Sequence, residues 1–280
     1  MSFDPATRDS LLAALAWQIE LGADECIGEA PANRFEEVAK APAKPAATPL
    51  PPKPQAAPPP LRPAPEDDGA AAVTEARRLA SAADTLDALH EAMKSFDGCA
   101  LKKGARNTVF ADGNPSARVM FIGEAPGRDE DREGKPFIGR SGQLLDRMLA
   151  AIGLDRRSDD PAAAAYIANV LPWRPVGDRD PSTDESLMLW AFLERHIALA
   201  EPEIIVTLGK ISAAAMTERA VRITRERGRW ERPARAGGRP MLMTFHPAYL
   251  LRQPQEKAKS WRDLLSLRAA LDGAAPDIQS

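Results

Sequence analysis

The sequence predicts an α/β fold: a three-layer α/β/α sandwich around a central, mostly parallel sheet. Three observations carry this reading. Short apolar runs recur at residues 119–122, 166–171, 204–208 and 240–245. Helical periodicity fills the intervals, and runs this apolar suit strands covered on both faces. The runs contain or lead into Gly123, Asn169, Gly209 and His246-Pro247. In a parallel sheet these ends gather at one edge, where open α/β sheets place their ligands.

Taken in order, residues 9–21 set Leu11, Leu12, Leu15, Trp17 and Ile19 at helical spacing, with Ser10 available as N-cap. This short amphipathic helix suits docking on its own protein or on a partner. Residues 41–65 hold 11 of the 26 prolines, a composition expected to form an extended, disordered linker. The expected organisation is therefore a helix and tail over 1–40, a linker over 41–68 and one domain over 69–280. Helical patterning returns over 69–96 through Ala72, Val73, Ala76, Leu79, Leu86, Leu89 and Met93, with Asp84 or Thr85 capping a second segment. Residues 109–115 read as a short strand and turn.

Strand 119–122 breaks at Gly123, passes a Gly/Pro turn and an acidic loop, reaches Phe137, and enters a helix over 142–152. Strand 166–171 is followed by Asp180-Pro181-Ser182, a stop-and-cap signal for a helix over 183–200. Strand 204–208 leads to a helix over 211–216. Residues 218–239 are too charged for core and read as an excursion carrying Trp230. Strand 240–245 and a helix over 255–271 close the domain.

Composition narrows the setting. No run of about 18 apolar residues suggests a membrane span, and residues 1–10 lack a signal-peptide pattern. Two cysteines, Cys26 and Cys99, make no disulfide framework, and a reducing cytoplasm is expected. The net charge of −3 divides into −5 over residues 1–68 and +2 over the rest. That balance permits a local basic face on the globular part.

Singly, the residues at the sheet edge say little. The turn Gly123-Glu124-Ala125-Pro126-Gly127 offers backbone N–H groups to any anion. Asn169 at a strand end is more often a backbone cap than a ligand. His246 is one of three histidines. Phe137, between charges and glycines, is hardest to explain as core.

Together, three ordered motifs resemble the uracil-DNA glycosylase superfamily, most closely the type called family 4. The first is Gly123 to Gly127 with Glu130-Asp131, continuing from Gly134 through Phe137 and Arg140 to Asp146. The second is Tyr166-Ile167-Ala168-Asn169, followed by Arg174-Pro175, Gly177 and Arg179. The third is His246-Pro247-Ala248-Tyr249-Leu250-Leu251-Arg252. The likeness covers residues 96–271 and leaves the first 65 outside.

The resemblance implies a monofunctional enzyme of base-excision repair that releases uracil from DNA and leaves an abasic site. The target nucleotide must be flipped from the duplex. Phe137 then stacks on the base, Asn169 reads its Watson–Crick edge, and His246 donates to O2 as charge develops there. Gly123 and Ala125 floor the pocket. In the best-known branch an Asp two residues after the first Gly serves the water step; here that position is Ala125. The work falls to Glu130, with Glu124 next. Leu250 and Leu251 are expected as an apolar wedge on a minor-groove loop, with Arg252 on the backbone. Arg140, Ser141 and Gln143, with Lys135, are candidate phosphate contacts.

The chain departs from the family at the iron–sulfur cysteines. Only Cys99 stands near a ligand position; Phe96, Lys102, Trp173 and Leu189 occupy or neighbour the others. One or two thiolates do not hold a cluster that needs four. The expectation is no cofactor, with Trp173 and apolar neighbours filling the volume. Residues 171–184 carry no His and no basic insertion, so no covalent product bond is expected. The partner is uracil-containing DNA, with no membrane and a monomeric enzyme. The alternative is a non-catalytic protein on the same fold that binds single-stranded or damaged DNA. A phosphate-loop enzyme is disfavoured, because the turn lacks the G-x-G-x-x-G and GK[ST] arrangements.

Overall fold

The computed structural model describes residues 67–175 and 183–278. The chain divides into two units, residues 1–61 and 62–280, and the described residues belong to the second. The amphipathic helix over 9–21, most of the proline linker, Gly177, Arg179 and the Asp180-Pro181-Ser182 signal lie outside them.

Six strands form one sheet in the order β1-β3-β2-β4-β6-β5. These are β1 (Ala111–Gly113), β2 (Val119–Gly123), β3 (Tyr166–Asn169), β4 (Ile204–Leu208), β5 (Trp230–Glu231) and β6 (Met241–Thr244). The inner four, β3-β2-β4-β6, run parallel, while β1 and β5 pair antiparallel at the edges. The inner strands are buried along their whole length. That burial is the physical reason for their unbroken apolar runs, because helices cover both sheet faces.

Alternation along β2 shows the layers. Met120 and Ile122 face one core with Tyr166, Ile205 and Met243; that core also takes in helices α1 (Asp67–Ala82), α2 (Leu86–Ser95), α5 (Thr183–Ala200) and α6 (Lys210–Thr217). Val119 and Phe121 face the other core with Ile167, Val206 and Leu242, under α4 (Arg140–Ala150) and α9 (Lys257–Leu271). The three-layer arrangement is as the sequence predicts. Of the two candidate caps, Thr85 starts α2, its Oγ1 accepting from the N–H of Ala88 at 3.1 Å.

Local structure differs from the sequence expectation in three places. The acidic loop after the first turn contains a short helix, α3 (Arg128–Glu133), which ends on Gly134 in the left-handed region at φ 74°. The charged excursion after α6 holds a further turn of helix, α7 (Ile223–Glu226), and the edge strand β5. Its Trp230 is buried in the second core, with Nε1–H donating to Ser266. The chain after His246 is helix α8 (Pro247–Arg252), not a loop. Proline at the first helical position favours that start. No described helix is long and apolar enough to cross a membrane.

One aromatic stack runs into the first core from its partly exposed edge to the buried His196. His196 lies flat on Phe110 at 4.3 Å, Phe110 lies flat on His90 at 4.7 Å, and Tyr166 Oη meets His196 Nε2 at 2.8 Å. Burial first, and the neighbouring His90 second, push the His196 imidazole down to about 3. It is therefore neutral when folded, while the unfolded chain protonates it below about 6.5. Stability from this group is complete above that value and falls as pH drops toward the folded one. Urea unfolding between pH 6 and 4 should accordingly show His196→Gln with a flatter pH dependence than the parent, by about 1.4 kcal/mol per pH unit. Identical slopes would show that His196 takes up no proton on unfolding.

Candidate active site

The carboxyl ends of β2, β3, β4 and β6 supply the turn at Gly123, Asn169, Gly209 and the start of α8. Register brings the first two together, since Gly123 pairs with Asn169 across β2 and β3. The N–H groups of Val170 and Leu171 then donate to the carbonyls of Gly123 and Glu124, tying the two strand ends. A Cβ on Gly123 would stand 2.5 Å from Asn169 Oδ1 and 2.5 Å from Phe137 Cε2. Glycine is therefore required for the amide and the ring to share this space.

Phe137 is 5% exposed and belongs to the second core, yet its ring also faces His246 at 5.4 Å and 31°. It is thus both a core residue and a wall of the site. Its backbone is left-handed, φ 53°, a conformation that costs a residue with a side chain roughly 1–3 kcal/mol unless the surroundings impose it. The surroundings do so from two sides. Glu130, 7% exposed on α3, accepts from the N–H of Ile138 at 3.0 Å and of Gly139 at 2.9 Å through Oε1. Arg156, on the connection from α4 to β3, donates to the carbonyls of Pro136 and Phe137, each at 3.1 Å. Gly142 makes room, because a Cβ there would lie 1.8 Å from the Phe137 carbonyl oxygen.

Asn169 is 7% exposed, and its Oδ1 is a buried acceptor with no hydrogen-bond partner. Leaving such an atom unpaired costs about 1–3 kcal/mol, so a donor from outside has a place to bind. His246 starts α8, and its Nδ1 accepts from the N–H of Ala248 at 3.1 Å. With Nδ1 accepting, the ring proton sits on Nε2. Burial, then the positive charge of Arg252, hold the imidazole down to about 4, against a smaller opposing effect of Glu130. His246 is a neutral N–H donor at neutral pH. Gly209, φ 99°, lets β4 approach this residue, a Cβ there standing 3.0 Å from the His246 Cβ.

Outside the pocket an open groove of about 430 Å³ is lined by Arg128, Glu130, Arg140, Ser141, Leu251 and Arg252, among others. It brings together four of the expected DNA contacts. Gln143 is exposed one turn further along α4. Lys135 points to Asp112, with Nζ 3.6 Å from its carboxylate. Glu124 is exposed on the turn, and Ala125 packs its methyl against the first core.

Two expectations need correction. Leu250 is no wedge: it is 1% exposed and packs on Leu144 and Phe245, because the helix that begins at His246 turns it inward. Leu251, its neighbour, is instead partly buried at the groove. Glu130 sits on a short helix, not on the expected loop, with Oε1 committed to two N–H donors. Sequence reasoning passed over Arg156 and gave Gly142 no role beyond starting a helix. A lone arginine in Arg156-Arg157-Ser158 carries no periodic signal, and a helix-start glycine looks interchangeable until the carbonyl beside it is placed.

Comparison with known proteins gives the same outline. Residues 110–265 match the model of the uracil DNA glycosylase superfamily. A type-4 uracil-DNA glycosylase of Thermotoga maritima is 36% identical over 173 residues, spanning 60% of this chain and 84% of the relative. Proteins of the same name from Pyrobaculum aerophilum and Archaeoglobus fulgidus are 37% and 38% identical, over 64% and 61% of this chain and 91% and 86% of theirs. Nitrogen-15 NMR of the histidine side chains should find His246 as the neutral Nε2–H tautomer down to about pH 5. A ring titrating near pH 6.5 would contradict the burial argued above.

Proposed function

The chain belongs to the uracil DNA glycosylase superfamily, and from that premise we propose that it hydrolyses the N-glycosidic bond of deoxyuridine in DNA. The products are free uracil and an abasic site, the first step of base-excision repair. The observation that carries this reading is the buried, unpartnered Asn169 Oδ1 beside Phe137 and His246.

A uracil flipped from the helix exchanges its stacking for the face of Phe137. Asn169 Oδ1 accepts from uracil N3–H while Nδ2 donates to O4. Cytosine presents an acceptor at N3 and a donor at the 4-position, leaving both ends mismatched at roughly 1–3 kcal/mol each. As the C1′–N1 bond breaks, its electron pair passes to the base and accumulates at O2. His246 Nε2–H donates there, and a neutral donor strengthens as the anion forms without giving up its proton beforehand. Water adds to C1′, and its proton leaves to balance the uracil anion.

Glu130 is assigned to the sugar side over Glu124. It is buried close enough to His246 to act on its charge, and its Oε2 lies beside Gly127 at the turn. Arg140 and Ser141 at the start of α4, with Arg252, take backbone phosphates. No lysine takes a Schiff-base role, so no strand-cleaving step follows. The enzyme is read as a monomer of the reducing cytoplasm.

The iron–sulfur cluster of family 4 does not fit the residues present. The chain has two cysteines, and a cubane cluster needs four ligands. Cys99 is buried in the first core, where Trp173 and Leu189 are each 1% exposed. Trp173 Nε1–H donates to Thr108 Oγ1 at 3.0 Å, which fixes the indole in place. Among the described residues no three His, Cys, Asp or Glu side chains gather as a metal site. Protein purified without oxygen should hold no stoichiometric iron or sulfide; one cluster per chain would overturn this.

The activity is tested on a labelled oligonucleotide with one deoxyuridine. The parent should release uracil. His246→Ala should slow single-turnover release by about 100–1,000-fold, the usual loss for one such donor, with DNA affinity changed far less. Asn169→Asp should abolish release or admit cytosine. Tight binding by the parent with no release would instead make the chain a damage-binding protein.

A further inference from the structure

Arg156 reaches the proposed base site only through backbone, at the carbonyls of Pro136 and Phe137, yet it is heavily engaged there. Its side chain is 8% exposed. Nε donates to Asp146 Oδ1 at 2.8 Å, and Nη2 approaches the same oxygen at 2.7 Å. Nη1 donates to Asp112 Oδ2 at 3.2 Å. The inner edge of the fork then reaches the carbonyls of Pro136 and Phe137, both at 3.1 Å. Two carboxylates thus hold a buried cation, which spends its remaining donors on two successive carbonyls. A purely structural ion pair needs only the carboxylates.

Those carbonyls belong to the peptide that carries the left-handed Phe137. The N–H groups on the other side, of Ile138 and Gly139, are held by Glu130. The Phe137–Ile138 peptide unit is thereby held at both ends, its carbonyl by the cation and its N–H by the anion. We propose that Arg156 is a positioning residue, whose fork on the Pro136 and Phe137 carbonyls sets the angle at which Phe137 meets the base. This rests on the reading of Phe137 as the stacking wall. It follows that base affinity and the chemical step depend on Arg156, whereas the hold on the DNA backbone does not.

Arg156→Lys is the informative change. Lysine keeps the charge opposite Asp112 and Asp146 but has no planar fork for two carbonyls. The measurements are single-turnover uracil release, inhibition by free uracil, and affinity for a duplex with a tetrahydrofuran abasic analogue. A crystal structure of the variant then locates Phe137 directly. The ring should shift, release should slow by about 100-fold, as for a misplacement of order 1 Å, and uracil inhibition should weaken about 10-fold or more, with analogue affinity held within about 2-fold. Phe137 unmoved, with release and uracil inhibition intact, would overturn the proposal. If the parent itself neither releases nor binds uracil, the base-site reading fails, while the position of Phe137 still judges the clamp. Should Arg156→Lys not fold, Asp146→Asn loosens the same guanidinium from its solvent side. It should weaken uracil inhibition several-fold; no change would count against the clamp.

Discussion

One strained peptide, gripped by opposite charges, is what the pocket rests on. Phe137 holds a backbone conformation that a side chain disfavours, and nothing in its own sequence compels it. Glu130 compels it from the N–H side and Arg156 from the carbonyl side. Both charged groups are buried, and each satisfies donors or acceptors that the turn leaves unpaired. Removing either partner leaves buried polar groups with nothing to bind, so the arrangement tends to hold as a unit. Strain of this kind persists where geometry matters to function.

The sheet supplies the rest. Four parallel strands end at one edge, so residues nearly 125 positions apart, Gly123 and His246, share one small volume. Glycines at 123, 142 and 209 admit close contacts that any side chain would block. Burial then does two kinds of chemical work. It keeps His246 neutral, and it leaves Asn169 Oδ1 waiting for a donor. The two effects share one cause, burial, which is complete at Asn169 Oδ1 and partial at His246.

Much of this was legible in the residues. Strands read from unbroken apolar runs are where they were expected, because sheets covered on both faces require such runs. Phe137, Asn169 and His246 stood out by type and place, and they do converge. What failed was local and directional. Leu250 looked exposed because it follows His-Pro, but proline there begins a helix, and a helix turns every third or fourth residue inward. The hold of Glu130 on the turn was not visible, because its partners are backbone N–H groups, which no sequence pattern displays. Arg156 gave no signal at all, since its four partners come from three separate segments. The expectation of no cluster rests on the cysteine count alone, and Trp173 and Leu189 are core residues.

The central claim is that the pocket at Asn169 is a reader of uracil, already shaped before the base arrives. It is tested most directly by a crystal structure of the protein soaked with free uracil. The base should lie on the face of Phe137, with N3–H on Asn169 Oδ1 and O2 at His246 Nε2, and with Phe137 still left-handed. A base bound elsewhere, or Asn169 Oδ1 filled by a group of the protein itself, would contradict it.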